Sequence, residues 1–173
     1  MTEIVAPACR LRESWAEAVA EFDAADSVMH GSGLWAFDTV DTTEEGCRTV
    51  VAHLLREADP SVPLPEDKVH SNYYWIVAGD AFVGYLALRH ALTPWLLAEG
   101  GHIGFSVRPA RRREGHAGRA LALALVEAKG LGLERVLLTC DEDNDASRLT
   151  IKGNGGVYED SRNDKRRYWI ALE

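Results

Sequence analysis

The segment 107–117, V-R-P-A-R-R-R-E-G-H-A, constrains the fold most, because it predicts a strand, a tight loop and a helix in succession. Pro109 ends the strand, and Gly115 allows the backbone to bend sharply before a helix begins near Ala117. The first turn of a helix has unpaired N–H groups and a partial positive charge, which suit a phosphate. The segment matches neither G-x-x-x-x-G-K-[ST] nor G-x-G-x-x-G, which excludes those nucleotide motifs. It therefore predicts a phosphate-binding loop, with a solvated arginine-rich turn as the alternative.

The composition is that of an ordinary globular chain with an uneven distribution of charge. The chain has 173 residues, of which 46% are hydrophobic, and its formal net charge is −8. An acidic chain has no overall attraction to nucleic acid, so we expect no nucleic-acid partner, although Arg108 and 111–113 form a local basic patch. No apolar run is long enough to cross a membrane and no signal peptide is evident, so we expect no membrane partner and a cytoplasmic location. The three cysteines are far apart, which argues against a disulfide or metal framework.

Hydrophobic periodicity divides the chain into strands and helices within one domain, 1–173. Gly79-Asp80 predicts a hairpin turn, and Gly130 predicts the C-cap of a helix. The order of the elements predicts an α/β fold with a mixed sheet. We predict strands at 3–10, 73–78, 81–89, 101–107, 135–140, 157–160 and 166–172, and helices at 14–22, 43–58, 117–129 and 145–152.

Four short motifs, at 107–109, 112–117, 144–147 and 155–156, resemble those of the GNAT N-acyltransferase superfamily. R-R-E-G-H-A at 112–117 matches the family's [QR]-x-x-G-x-[GA] signature, and V-x-P at 107–109 has the family's usual spacing. N-D-A-S at 144–147 resembles the N-x-x-[AS] that begins the helix after the fifth strand, and the glycines at 155–156 fall where the family usually has G-F. The chain is especially similar to an uncharacterised bacterial branch with G-G-H-I-G-F before the loop. The resemblance implies a central twisted mixed sheet of about seven strands flanked by about four helices.

The resemblance also implies acetyl-CoA as co-substrate, without a metal. In that family the fourth and fifth strands separate, and the pantetheine arm of CoA lies between them. Arg111 or Lys152 is the candidate for the 3′-phosphate, and Asn144 has a second interpretation as a helix N-cap. The implied CoA-binding residues are Phe105, Ser106 and Val107 on the strand, Arg112, Arg113, Glu114, Gly115, His116 and Ala117 in the loop, and Asn144 and Ser147 beyond it.

Direct transfer to an amine requires a neutral nucleophile, so a general base is expected. Many relatives have a glutamate five residues before the strand-ending valine, and here that position is His102. An ordinary histidine pKa of about 6.5 suits proton removal near neutrality, and a purely structural histidine is the alternative. His90 is the second choice and a candidate acceptor-site residue. Ile151 replaces the family's acid tyrosine, which leaves Ser147, Tyr158 and Cys140 as candidates to protonate the CoA thiolate.

Five aromatic residues are candidates to line an acceptor pocket, although aromatic residues are also frequent in cores: Trp35, Phe37, Trp95, Tyr158 and Trp169. The predicted function is transfer of an acetyl group from acetyl-CoA to a primary amine of a small molecule. The alternatives are a GNAT-fold transferase that uses a longer acyl-CoA or an aminoacyl-tRNA, and a non-catalytic CoA-binding module. The sequence leaves open whether the protein is a homodimer.

Overall fold

The computed structural model describes residues 1–173, in which seven strands and four α-helices confirm the predicted α/β fold. No helix has the length and apolar character required to cross a membrane. Three 3-10 turns (Cys9–Leu11, Leu34–Ala36, Pro109–Arg111) and a π-helical turn (Leu96–Gly100) connect these elements. The strands are β1 (Thr2–Val5), β2 (Ser71–Ala78), β3 (Ala81–Arg89), β4 (Ile103–Val107), β5 (Arg135–Asp141), β6 (Val157–Arg162) and β7 (Lys165–Ala171), and the helices are α1 (Arg12–Ala24), α2 (Glu44–Ala58), α3 (His116–Gly130) and α4 (Asp145–Gly153).

The strands form two antiparallel sheets, in the orders β1-β2-β3-β4 and β5-β7-β6. Along their lengths β4 pairs only with β3, and β5 pairs only with β7. The two sheets approach each other at His102, whose N–H donates to the backbone oxygen of Leu137 at 2.7 Å. The predicted single sheet is thus built as two antiparallel sheets that meet at β4 and β5. We call the space between the facing edges of these two strands the groove.

The first sheet is buried on both faces because its residues alternate between two apolar clusters. On β3, Leu86 belongs to the cluster that includes α3, whereas Tyr85 belongs to the cluster that includes α1 and α2. Ala120 and Ala124 are fully buried, and their small side chains allow α3 to pack closely on the sheet. On the other face Trp15 of α1 is fully buried. Burial of one large apolar side chain of this kind contributes about 2 kcal/mol to folding.

Two element ends differ from the predicted ones for local reasons. β1 ends at Val5 rather than near residue 10, because Pro7 has no N–H to donate to a neighbouring strand. α3 continues through Gly130, and the left-handed residue beyond its end is Gly132, with a φ of +83°. The predicted C-cap at Gly130 is therefore wrong.

Arg108, the residue after β4, joins the start of the phosphate loop to α1. Its side chain is buried, and its Nε donates to both carboxylate oxygens of Glu21 at 3.2 and 3.1 Å. Its Nη1 donates to the backbone oxygen of Phe82 at 3.1 Å. The hydrogen bond from Arg108 lowers the pKa of Glu21. One arginine of the predicted basic patch therefore has a structural role.

We expect Glu21→Gln to lower the free energy of unfolding by about 2 kcal/mol, because the buried guanidinium loses its charge partner. Urea unfolding at pH 7 measures the change. Glu17→Gln is the matched control, because Glu17 is exposed and lies 3.6 Å from the same guanidinium. The control should change stability by less than about 0.5 kcal/mol. Equal losses in the two variants would contradict the role given to Glu21.

Candidate active site

The β3–β4 ladder decides which backbone groups of β4 face the groove. Arg108 N–H donates to the backbone oxygen of Val83 at 2.9 Å, which fixes the hydrogen-bonding register. Because hydrogen-bonded pairs alternate in an antiparallel ladder, Ser106 directs its N–H and C=O toward β3. Phe105 and Val107 direct theirs away from β3, on the side of the groove, where the Val107 C=O accepts from Arg112 Nε at 3.0 Å. The prediction that backbone groups of Ser106 are available to a pantetheine arm is therefore wrong.

The loop after β4 presents a row of free backbone N–H groups. Those from Arg113 to Gly118 have no acceptor within the protein. Arg113 and Gly115 have left-handed backbone conformations, with φ values of +66° and +83°. When residues of positive and negative φ alternate, successive N–H groups turn toward one side. The N–H groups at the start of α3 also carry the partial positive charge of the helix. We call this row the amide cradle, and its geometry fits a pyrophosphate.

The charged side chains of the loop brace the amide cradle. The Glu114 carboxylate accepts from Arg111 Nε at 2.9 Å and lies 2.8 Å from His116 Nε2. The other ring nitrogen of His116 lies 3.0 Å from Thr2 Oγ1, which links the loop to β1. Hydrogen bonds from His116 and Arg111 lower the pKa of Glu114. The side chains of Glu114 and His116 are therefore occupied, and their free groups are the backbone N–H groups.

The loop between α1 and α2 is fastened to the edge of the groove by three contacts. Arg112 Nη2 donates to Ser27 Oγ at 2.8 Å, and Ser106 Oγ donates to the backbone oxygen of His30 at 2.8 Å. Gly31, with a φ of +78°, packs directly on β4, where an added Cβ would lie 2.4 Å from a backbone oxygen. This close approach holds His30 beside the strand whose edge faces the groove.

A cavity of about 970 Å³ extends from the groove to the loop between α1 and α2 and to the segment before β4. Six of the residues singled out from the sequence line this cavity: Trp35, Trp95, Phe105, Cys140, Asn144 and Ser147. Asn144 also caps α4, where its Oδ1 accepts from Ser147 N–H at 3.1 Å.

His102 lies outside the cavity and is buried. Its Nδ1 accepts from the N–H of Leu137 at 2.9 Å, so the proton of the neutral ring is on Nε2. Burial, together with the charges of Arg89 and Arg135, lowers the pKa of His102 to about 4. Neither nitrogen is free to accept a proton from an acceptor amine. The prediction that His102 is the general base is therefore wrong, and the residue instead clamps β4 to β5.

His90, Phe37 and Tyr158, which were predicted for catalysis or for the acceptor site, also lie away from the cavity. His90 Nε2 is hydrogen-bonded to Asn72 Oδ1 at 2.9 Å. Phe37 packs with its ring 5.2 Å from the ring of His53, on the helix side of the loop. Tyr158 lies on β6, which β7 separates from β5 and the groove. The positions of His90 and Phe37 therefore do not fit side chains of the acceptor site, and the position of Tyr158 does not fit the acid that protonates CoA.

Two candidates for the proton donor remain at the cavity. The Ser147 hydroxyl has no partner within the protein, and burial raises the pKa of the Cys140 thiol, which keeps it protonated at neutral pH. Ile151 is fully buried and supplies only packing.

Several ionisable residues that line the cavity were missed from the sequence: His30, His53, Glu57, Arg89 and Glu99. His53 and Glu57 have a helical i,i+4 spacing that was a usable signal, and their side chains lie 3.5 Å apart. His30 precedes a loop with two glycines, and its ring nitrogens have no partner within the protein. Burial lowers the pKa of His30, assisted by Lys165 and Arg89 and opposed by Asp141. No group of three or more His, Cys, Asp or Glu side chains is arranged to hold a metal ion.

The clamp at His102 predicts a specific dependence of stability on pH. Its folded-state pKa is below the ordinary value, so its contribution is complete above about pH 6.5 and is lost as the pH falls toward 4. Between pH 7 and pH 4.5, we expect the wild type to lose about 2 kcal/mol more stability than His102→Asn, whose oxygen can replace Nδ1 as acceptor. Urea unfolding of both proteins at the two pH values measures the difference. Parallel pH dependences would exclude the clamp.

Comparison with known proteins identifies the family. A model of the acetyltransferase (GNAT) domain matches residues 10–157, and the chain therefore belongs to the GNAT acetyltransferase family. No curated relative matches the sequence.

Solved structures of three acetyltransferases share the fold. RimL, a ribosomal L7/L12 alpha-N-protein acetyltransferase in complex with coenzyme A, is 17% identical with a TM-score of 0.66, over 99% of this chain and 94% of that chain. The microcin C7 self-immunity acetyltransferase MccE, in complex with acetyl-CoA and AMP, is 14% identical with a TM-score of 0.67, over 99% and 92%. A ribosomal-protein-S5-alanine acetyltransferase from Vibrio fischeri is 14% identical with a TM-score of 0.68, over 99% and 92%. At these identities the likeness establishes the fold alone.

Proposed function

We propose that the protein transfers an acetyl group from acetyl-CoA to a primary amine. The observation that carries this proposal is the amide cradle at the open end of a groove that leads into the cavity. Membership of the GNAT family supports the proposal, as do the CoA and acetyl-CoA complexes of RimL and MccE.

The residues of the groove fit CoA in two places. The free N–H groups from Arg113 to Gly118 would hold the pyrophosphate. The N–H and C=O of Phe105 and the N–H of Val107 would pair with the pantetheine amides, whereas the Val107 C=O accepts from Arg112. Arg111 or Lys152 as the partner of the 3′-phosphate stays a prediction. Bound acetyl-CoA supplies the thioester whose acyl carbon the amine attacks.

We assign removal of the amine proton to His30. The ring is open to the cavity, has free nitrogens, and has a pKa lowered by burial, so it is neutral and able to accept a proton near pH 7. The step forms the bond between nitrogen and the acetyl carbon and breaks the bond between that carbon and sulfur. His30 takes the amine proton, and Ser147 or Cys140 supplies a proton to the sulfur.

A small-molecule amine is the acceptor that we propose first. The second candidate is the amine at the N-terminus of a protein, favoured by Trp35 and Trp95, which line the cavity with 70% and 60% of their surfaces exposed. RimL is an alpha-N-protein acetyltransferase of ribosomal L7/L12, and the Vibrio fischeri enzyme is a ribosomal-protein-S5-alanine acetyltransferase, so both act on proteins. We retain as predictions a single domain over 1–173 and a cytoplasmic location.

Gly115 tests the donor half of the proposal. Gly115→Ala should weaken acetyl-CoA binding at least about tenfold, because a side chain at φ +83° strains the loop and the added Cβ would lie 3.4 Å from the Arg119 guanidinium. Gly132→Ala is the matched control, because Gly132 has the same φ of +83° at the other end of α3 with open space around it. Both variants should lose about 1 kcal/mol of stability, and only the first should lose affinity. Calorimetric titration measures binding; no binding by the wild type at millimolar acetyl-CoA would remove the proposal.

His30 tests the catalytic step. We expect His30→Ala to lower kcat about 100-fold while acetyl-CoA affinity stays unchanged, because only proton removal is lost. The wild-type rate should fall on acidification through a pKa below about 6.5, and this acidic limb should vanish in the variant. Release of free CoA with a panel of primary amines measures the rate. His90→Gln, outside the cavity, should stay within about twofold of the wild type. An acidic limb that persists in His30→Ala would exclude His30 as the base.

A further inference from the structure

Arg89, at the end of β3, places a positive charge inside the cavity without a carboxylate to balance it. Its Nη1 donates to the backbone oxygens of Gly100 and Gly101 at 3.0 and 3.1 Å. Its Nε and Nη2 have no acceptor within the protein, and no Asp or Glu forms a salt bridge with it. By contrast, Arg108 and Arg167, the two buried arginines, both pair with carboxylates.

The surroundings of the guanidinium favour an anion in the cavity. Burial lowers the pKa of Arg89. Its Nε and Nη2 are not sealed inside the protein, so cavity water can reach them, and an anion that replaces this water forms charge-assisted hydrogen bonds. Gly104 places no side chain against the guanidinium, where a Cβ would lie in van der Waals contact 3.5 Å from Nη2.

The position of Arg89 relative to the groove limits which anion can bind. The groove closes at His102, next to Gly101, one of the two residues that Arg89 contacts. With the pyrophosphate in the amide cradle at the other end, the acetyl group would lie near this closed end, beside Gly104. The amine nitrogen must reach the same place. An anion on Arg89 would therefore lie only a few bonds from the nitrogen that is acetylated.

Planar guanidinium groups bind carboxylates through two parallel hydrogen bonds, and Arg89 has the free Nε and Nη2 donors for such a pair. The cavity also contains Glu66 and Asp67, neither of which forms a salt bridge, so it offers negative charge to the ammonium group of an incoming amine. We propose that the acceptor is an α-amino acid whose carboxylate binds Arg89. This inference rests on the proposed acetyl transfer and names its substrate class.

The experiment compares matched acceptors with the full-length protein and acetyl-CoA. The three sets are the standard α-amino acids, their α-amides, and the corresponding amines without the carboxylate. For at least one amino acid, kcat/KM should exceed that of its amide and its amine at least about 100-fold, because only the acid supplies the charged partner. Arg89→Gln should raise the KM of that acid about 100-fold and change the KM of the amide less than about threefold, whereas Arg89→Lys should restore part of the loss. Arg135→Gln removes a positive charge outside the cavity and should leave all three sets unchanged.

A second readout does not depend on turnover or on the folding of a variant. In the presence of CoA, the effective amino acid should raise the Tm of the wild-type protein, and its amide at the same concentration should not. Turnover of amides, amines or N-terminal peptides at rates equal to the acids would overturn the inference and leave acetyl transfer intact. Acetyl-CoA binding without differential stabilisation by any acid would overturn it as well. Failure of the wild type to bind acetyl-CoA would instead remove the proposed function.

Discussion

The separation of β4 from β5 is the constraint on which the rest of the site depends. Every backbone group on a strand edge must find a partner or face solvent, and a sheet that continued from β4 to β5 would pair them internally. His102 stops that continuation, because its N–H and its ring nitrogen both bond to Leu137 and close one end of the space between the strands. Phe105 then keeps an unpaired N–H and C=O, and Val107 keeps an unpaired N–H, whereas the Val107 C=O accepts from Arg112 Nε at 3.0 Å. An extended ligand can pair with these free groups as an added strand does.

At the open end of the groove, the phosphate site that we propose is made of main-chain N–H groups, because three arginine side chains of the loop are occupied elsewhere. Arg108 pairs with Glu21, Arg112 reaches Ser27, and Arg111 bonds to Glu114. These arginines hold the loop in a conformation that leaves its N–H groups free. The arginines of the basic patch thus contribute to the site by positioning the backbone. Their charge alone therefore did not distinguish a phosphate-binding loop from a solvated arginine-rich turn.

The sequence predicted what depends on local pattern. Strand and helix periods located nearly every element, and the spacing from Val107 to Gly115 located the amide cradle. The sequence could not predict the features that depend on pairing between distant segments. The register that turns Ser106 toward β3, and the sheet order that removes Tyr158 from the groove, follow from contacts across the chain. His102 shows a further limit, because motif spacing identifies a position but not the hydrogen bond that occupies its ring nitrogen.

The two halves of the site differ in what they are made of, and this difference has a consequence for specificity. The donor half consists of main-chain N–H and C=O groups, which most side-chain substitutions leave in place. The proposed acceptor half consists of side chains, such as His30 from a loop, Arg89 from a strand end and Glu57 from α2, which substitution can change without changing the backbone. A shared fold at 14–17% identity is therefore compatible with different acceptors. The sequence motifs predict the donor site, and we propose that the charges lining the cavity, among them Arg89 without a salt bridge, restrict the acceptor.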